Sequence, residues 1–161
     1  MIVVLMGVTG SGKTTVGELL AAQMGWEFVD ADQFHPAANV QKMAQGIALT
    51  DADREPWLSA LRDVILQWRA GGKNVVLACS ALKRSYREKL AIGGEVRLVF
   101  LRGTYELIAS RLRDRHGHFA TETILADQFA KLEEPQDAIV VNIQPSPREI
   151  VAEIQNRLGL A

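Results

Sequence analysis

A chain of 161 residues, 48% apolar with thirteen glycines and five prolines, is long enough for one compact domain with its own core and too short for two ordinary ones. Eighteen basic residues against nineteen acidic ones leave a formal charge of -1, and no run of like charge exceeds three residues, which argues against general nucleic-acid or membrane-surface binding. Cys79 is the single cysteine, so neither a disulfide framework nor a cysteine zinc site can form within the chain, as expected in a reducing compartment. The apolar opening stops at Gly7, and no apolar run approaches the roughly 20 residues of a membrane span. A soluble, cytoplasmic protein with no signal peptide or anchor is expected.

In chain order, Ile2–Met6 reads as a buried strand, and Val16, Leu19 and Leu20 mark the apolar face of the helix that follows. Glu27–Asp30 reads as a second strand. Leu58, Leu61, Ile65 and Trp68 share one face of a long helix, in which Trp57 and Trp68 are expected to pack rather than bind. Val75–Cys79, Val96–Leu101 and Ala138–Asn142 supply three more strands, with Cys79 a small buried residue without a redox role. The pairs Gly71-Gly72 and Gly93-Gly94 stand just before strands, where helix ends and tight turns use glycine. Ser146-Pro147 reads as the N-cap and first turn of a last helix bearing Ile150, Ile154 and Leu158. This alternation predicts a single α/β domain over 1–161, a five-stranded parallel sheet with helices on both faces.

Between the first strand and first helix, Gly7-Val8-Thr9-Gly10-Ser11-Gly12-Lys13-Thr14 completes the pattern G-x-x-x-x-G-K-[ST], followed by Thr15. Its glycines let backbone N–H groups and a helix N-terminus wrap phosphate oxygens. Lys13 adds a mobile positive charge, and Thr14 a hydroxyl for magnesium. ATP with Mg2+ is the expected ligand. The third strand ends in Cys79-Ser80 rather than in the Asp that a switch or motor NTPase carries, and a guanine-reading Asn-Lys-x-Asp is absent. The acidic pair stands instead at Asp30 and Asp32, closing the second strand. Two residues apart on an extended chain, these carboxylates are expected to face the same cleft, Asp30 towards magnesium and Asp32 towards an acceptor hydroxyl.

The islands Asp30-Ala31-Asp32-Gln33-Phe34-His35-Pro36, Asn39, Lys42-Met43, Asp51 to Leu58, Cys79 to Lys83 and Tyr86-Arg87 closely resemble the gluconokinase family. Gly117-His118-Phe119, Asp127-Gln128-Phe129 and Leu132-Glu133-x-Pro135 continue the likeness, which therefore spans most of the chain. Ala48 and Asp127 stand where many members carry proline and serine. The resemblance implies a P-loop kinase fold like adenylate and shikimate kinases, with a lid, and phosphorylation of the 6-hydroxyl of D-gluconate by magnesium-ATP. It also places His118 and Gln128 among the substrate-binding residues. The same-architecture alternatives are a shikimate or nucleoside monophosphate kinase, and the rival of another class is an NTP-dependent regulatory switch.

An anionic polyol needs cations at its carboxylate end and hydrogen-bonding groups beyond it. His35, Asn39, Lys42 and Arg54 lie in an acceptor-binding insert over about 33–60, and Ser80, Lys83, Tyr86 and Arg87 follow the third strand. Surface pairing of Arg54 with Asp51 or Glu55, and a solvated face for Lys83, Tyr86 and Arg87, are the plainer readings. A lid over about 112–122 is expected to swing across the phosphates, with Gly117 ending or hinging the basic segment. Arg115 is expected on the transferred phosphate and Arg111 beside the nucleotide. Lys13, Asp32 and Arg115 are thus the expected catalytic residues, and a homodimer is compatible with the chain.

Overall fold

The computed structural model describes residues 1–90, 94–116 and 119–160. Five strands form one parallel sheet: β1 (Ile2–Met6), β2 (Glu27–Asp30), β3 (Val75–Ala78), β4 (Val96–Arg102) and β5 (Ile139–Asn142), in the order β2-β3-β1-β4-β5. Strand side chains alternate between the faces of a sheet, and β1 is apolar at every position because both of its faces are covered. Val3 and Leu5 enter one core, with Val76, Val99 and Val141. Ile2, Val4 and Met6 enter the other, with Val75, Leu77, Leu98 and Phe100.

Helices α1 (Lys13–Met24), α5 (Tyr105–His116), α6 (Phe119–Lys131) and α7 (Pro147–Leu158) contribute buried residues to the first core, among them Val16, Leu20, Ile108, Leu112, Leu125 and Ile154. Helix α3 (Asp51–Ala70) covers the opposite face with Trp57, Leu58, Leu61, Ile65 and Trp68, and α4 (Arg84–Lys89) adds Tyr86. The short α2 (Ala37–Ala44) precedes α3 in the insert. Both cap expectations for the last helix hold: Ser146 accepts from the Glu149 N–H, Glu149 returns the bond, and Pro147 opens the helix. Gly93 and the expected hinge Gly117 lie outside the described residues. No helix among the described residues is long and apolar enough to cross a membrane.

The crossover after β1 leads to one edge of the sheet, and the chain after β3 passes β1 to reach β4. Strand order reverses beside β1, and at such a point the loops at the strands' carboxyl ends part to leave a crevice. The loop from Gly7 to Gly12 stands there.

Candidate active site

The phosphate loop turns on two glycines in the left-handed region, Gly10 at φ 77° and Gly12 at φ 97°. A side chain at Gly10 would in addition meet Leu112 of α5, with contacts of 2.8 Å. Gly12 caps α1 without a side chain, which leaves the first N–H groups of the helix open to an anion. Lys13 Nζ donates to the Gly7 and Val8 carbonyls at 2.8 and 3.0 Å, so the ammonium arches over its own loop. Burial pushes that amine below its ordinary value, and Asp32 and Asp30 are among the groups that oppose the shift. Thr14 and Thr15 are exposed at the mouth of the cradle, and Ser11 Oγ is buried without a partner. This donor set fits a polyphosphate. Open helix N–H groups and Lys13 suit its oxygens, and the Thr14 hydroxyl with Asp30 suits magnesium, a hard cation that takes few protein ligands beside phosphate.

The acidic pair is arranged differently from the extended-chain expectation. The backbone turns into a 3-10 helix over Ala31–Phe34, and Asp30 caps it by accepting the Asp32 N–H at 2.9 Å. Both carboxylates remain at the carboxyl end of β2. Desolvation beside the protein surface and the like charge of Asp30 raise the Asp32 carboxyl above the usual range, an effect that solvent screens because the side chain is largely exposed, and His35 and Lys13 pull the other way. His35 stacks on Trp57, rings 4.4 Å apart and 12° from parallel, with its Nε2 3.8 Å from Asp32 Oδ1. Trp57 in turn donates its Nε1–H to the Ala31 carbonyl at 2.8 Å. It is thus a core residue, as expected, that also seats the site.

The insert and the segment after β3 meet as the sequence suggested, although several side chains have other duties. Lys83 Nζ reaches both Asp51 oxygens, at 2.9 and 3.2 Å, and the Tyr86 hydroxyl donates to the same carboxylate. These bonds hold Asp51 below the usual carboxylate range, and burial raises the Tyr86 phenol. Arg54 is not paired with Asp51 or Glu55. Its guanidinium donates to the Leu49 carbonyl at 2.8 Å and lies 5.6 Å from the centre of the Tyr86 ring. Arg54, Lys83 and Tyr86 therefore converge, with Asp51 as the carboxylate already among them. Ser80 is half-buried at the end of β3, its carbonyl accepting from the Gly7 N–H at 3.4 Å.

Three residues expected on the substrate are engaged within the protein. Arg87 is buried and gives its guanidinium to the carbonyls of Ala81, Leu82 and Glu133, at 2.8, 3.0 and 2.7 Å, which makes it a clamp on the loop after β3. That loop contains Ala81 at φ 45°, a conformation disfavoured for a residue with a Cβ. Lys42 is engaged by Asp53 at 2.9 and 3.0 Å and ties α2 to the start of α3. Gln128 faces the phosphate loop, its Oε1 accepting the Thr9 N–H at 2.6 Å.

On α5, Arg111 donates to the Ile143 carbonyl beyond β5 at 2.8 Å, and Arg115 is exposed. Arg113 pairs with Glu122, joining α5 to α6. His118 lies outside the described residues. Sequence reasoning missed Asp51 as a partner of Lys83 and Tyr86, because these contacts span 32 and 35 positions, and treated Asn39 only as part of the insert. The signal for Asn39 was a polar residue on a short helix that the fold buries to 3% exposure.

Residues 2–135 match a family described as an AAA domain. A gluconokinase of Gluconobacter oxydans is 49% identical over 137 residues, 83% of this chain and 76% of that protein. The thermoresistant gluconokinase of Escherichia coli is 42% identical over 156 residues, 94% and 89% of the two chains. Among solved structures, a gluconokinase from Sinorhizobium meliloti superposes with a TM-score of 0.82 at 40% identity, covering 98% of this chain and 94% of that one. Phosphate loop, strand order and relatives agree: the chain belongs to the gluconokinase family of phosphate-loop kinases.

Proposed function

We propose that this protein transfers the terminal phosphoryl group of ATP to the 6-hydroxyl of D-gluconate. The observation that supports this reading is a complete phosphate cradle whose Lys13 lies within electrostatic reach of Asp30 and Asp32, in a fold that also gathers Arg54, Lys83 and Tyr86 around Asp51. Lys13 and the open N–H groups of α1 bind phosphate oxygens, and Thr14 with Asp30 would hold magnesium. Magnesium, when bound, neutralises charge on the phosphates. Asp32 accepts a hydrogen bond from the acceptor hydroxyl and orients it for in-line attack. Arg54 and Lys83 supply cations for the gluconate carboxylate, which takes the place that Asp51 holds. Arg115, exposed on α5, is the candidate for the transferred phosphate, and Arg111, bound beside β5, for the nucleotide. The free, buried thiol of Cys79 suits a cytoplasmic setting.

The test is a coupled ADP-release assay with gluconate, shikimate, glucose and AMP. Glucose offers comparable hydroxyls without a carboxylate, so its binding leaves cations unpaired in the closed site. A site that expects a polar partner rejects the analogue lacking it by roughly 10⁴-fold. Gluconate is expected to exceed glucose in kcat/KM by at least about a thousandfold. Comparable turnover of the two overturns the sugar-acid reading and leaves the phosphate-loop kinase standing.

A further inference from the structure

Among the described residues, Asn39 is one of the few polar ones that the fold buries, 3% exposed on a helix whose other face is open to solvent. Its Nδ2 lies 2.8 Å from the Asp53 carbonyl oxygen. A backbone carbonyl only accepts, so the atom facing it is the amide nitrogen, and the orientation of the Asn39 amide is settled by chemistry. The same nitrogen lies 3.1 Å from His35 Nδ1. One of its hydrogens serves Asp53 and the other serves the imidazole, which leaves His35 Nδ1 as an acceptor carrying a lone pair. The neutral ring then keeps its proton on Nε2, the nitrogen that faces Asp32 Oδ1 at 3.8 Å.

We infer that Asn39 is a positioning residue for phosphoryl transfer: it locks His35 in the Nε2–H tautomer, so that a fixed, neutral N–H donor is aimed at Asp32. The ring is held on its other sides by the stack on Trp57, and its side chain is 4% exposed, whereas that of Asp32 is 76% exposed. His35 is therefore the fixed member of the pair and Asp32 the movable one. The charged groups acting on the ring are Asp32 and Asp30 at the end of β2 and Arg54 of α3. Burial first, and Arg54 after it, disfavour the imidazolium, in agreement with a ring already receiving a hydrogen bond at Nδ1. The distinction matters for Asp32. An imidazolium would pair with the carboxylate and weaken it as a proton acceptor, and the other tautomer would turn a lone pair towards it. A neutral N–H directs the carboxylate and leaves its charge in place.

The catalytic part of this inference rests on the reading of Asp32 as partner of the acceptor hydroxyl, and the experiment separates the two. The chain has three histidines, so long-range proton–nitrogen spectra of imidazole-labelled protein resolve the tautomer of His35 without any substrate. At pH 7 the wild type is expected to show a neutral ring protonated at Nε2. Asn39→Asp offers an acceptor in place of the donor and is expected to move the proton to Nδ1 or charge the ring. Its kcat should fall about 10- to 100-fold, the size of effect seen when the hydrogen-bond partner that orients a metal-bound histidine is removed.

If Asn39→Asp fails to fold, His35→Gln and His35→Asn decide the matter with Asn39 intact. The glutamine amide reaches the Nε2 position and the asparagine amide only the Nδ1 position. His35→Gln should retain roughly tenfold more kcat than His35→Asn, with KM for ATP alike in both. A wild-type ring protonated at Nδ1, a tautomer indifferent to residue 39, or equal kcat in the two His35 variants overturns the inference. An Asn39-dependent Nε2–H tautomer in a protein that does not turn over gluconate upholds the tautomer lock and overturns the proposed substrate instead.

Discussion

Lys13, Asp32 and Arg87 show how differently three polar residues near one cleft are employed. The Lys13 ammonium is hydrogen-bonded to its own loop, through the Gly7 and Val8 carbonyls, so Lys13→Ala should leave the fold in place. Turnover should fall by about 10²–10³ or more, because the phosphate oxygens lose a charged donor that stabilises the transition state. Circular dichroism with steady-state kinetics checks both halves, and near-normal turnover in a folded variant removes Lys13 from the site. Asp32→Asn keeps shape and loses charge, and a fall of roughly 10²–10⁴ is expected if it takes the proton. A smaller fall with a raised KM for gluconate would make it an orienting group alone. For Arg87 the expectation is reversed. Arg87→Ala strips a charged donor from three carbonyls around the strained Ala81, at roughly 3 kcal/mol. In a domain of this size that lowers Tm by about 6–12 °C. KM for gluconate should change little, and a large KM rise with unchanged Tm would return Arg87 to the acceptor site.

At the scale of elements, the start of α3 joins stability to pH. Thr50 and Asp53 form a capping box, and Lys42 of α2 binds the same Asp53 carboxylate. The Thr50 N–H first, and Lys42 after it, lower the Asp53 carboxyl to about 2. A carboxylate whose folded value lies below its unfolded one, roughly 3.9, stabilises the protein above that value and loses the contribution as pH falls through the folded value. The Tm advantage of wild type over Asp53→Asn should therefore be full at pH 5 and shrink between about pH 4 and pH 2. An advantage constant across that window would exclude the charge as its source. The box also marks what sequence could reveal. Strands and long helices were legible because their periods of two and 3.6 are written in consecutive residues, as in Ile2–Met6 and Leu58 to Trp68. The 3-10 turn after β2 was not, because Asp30-Ala31-Asp32 is equally good strand-end chemistry until Asp30 is seen to cap it. The partners of Lys42 and Arg87 were hidden for a related reason. Composition says that a cation is present, and only the fold says that a neighbouring carboxylate or carbonyl has already taken it.

For the molecule as a whole, the structure joins the phosphate loop to the two helices between which the expected lid, about 112–122, lies. Leu112 of α5 packs where a side chain on Gly10 would stand, and Gln128 of α6 accepts the Thr9 N–H across 119 positions of sequence. The Arg113–Glu122 pair links the two helices, and Arg111 fastens α5 to the segment after β5. A ligand that orders the loop is thereby felt in α5 and α6 without contacting most of their residues. Opening free energies report such coupling, since backbone exchange slows where local opening becomes costlier. Adding an ATP analogue together with gluconate should slow hydrogen exchange in Tyr105–His116 and Phe119–Lys131. The analogue alone should do so less, because closure that excludes water is complete only with the acceptor in place. Gln128→Ala cuts the link to α6 while leaving the Leu112 contact with the loop. In that variant, protection should persist in Tyr105–His116 and drop in Phe119–Lys131. Unchanged exchange in the wild type would show that α5 and α6 do not respond to the ligands, and equal protection of Phe119–Lys131 with and without Gln128 would show that the signal travels by another route.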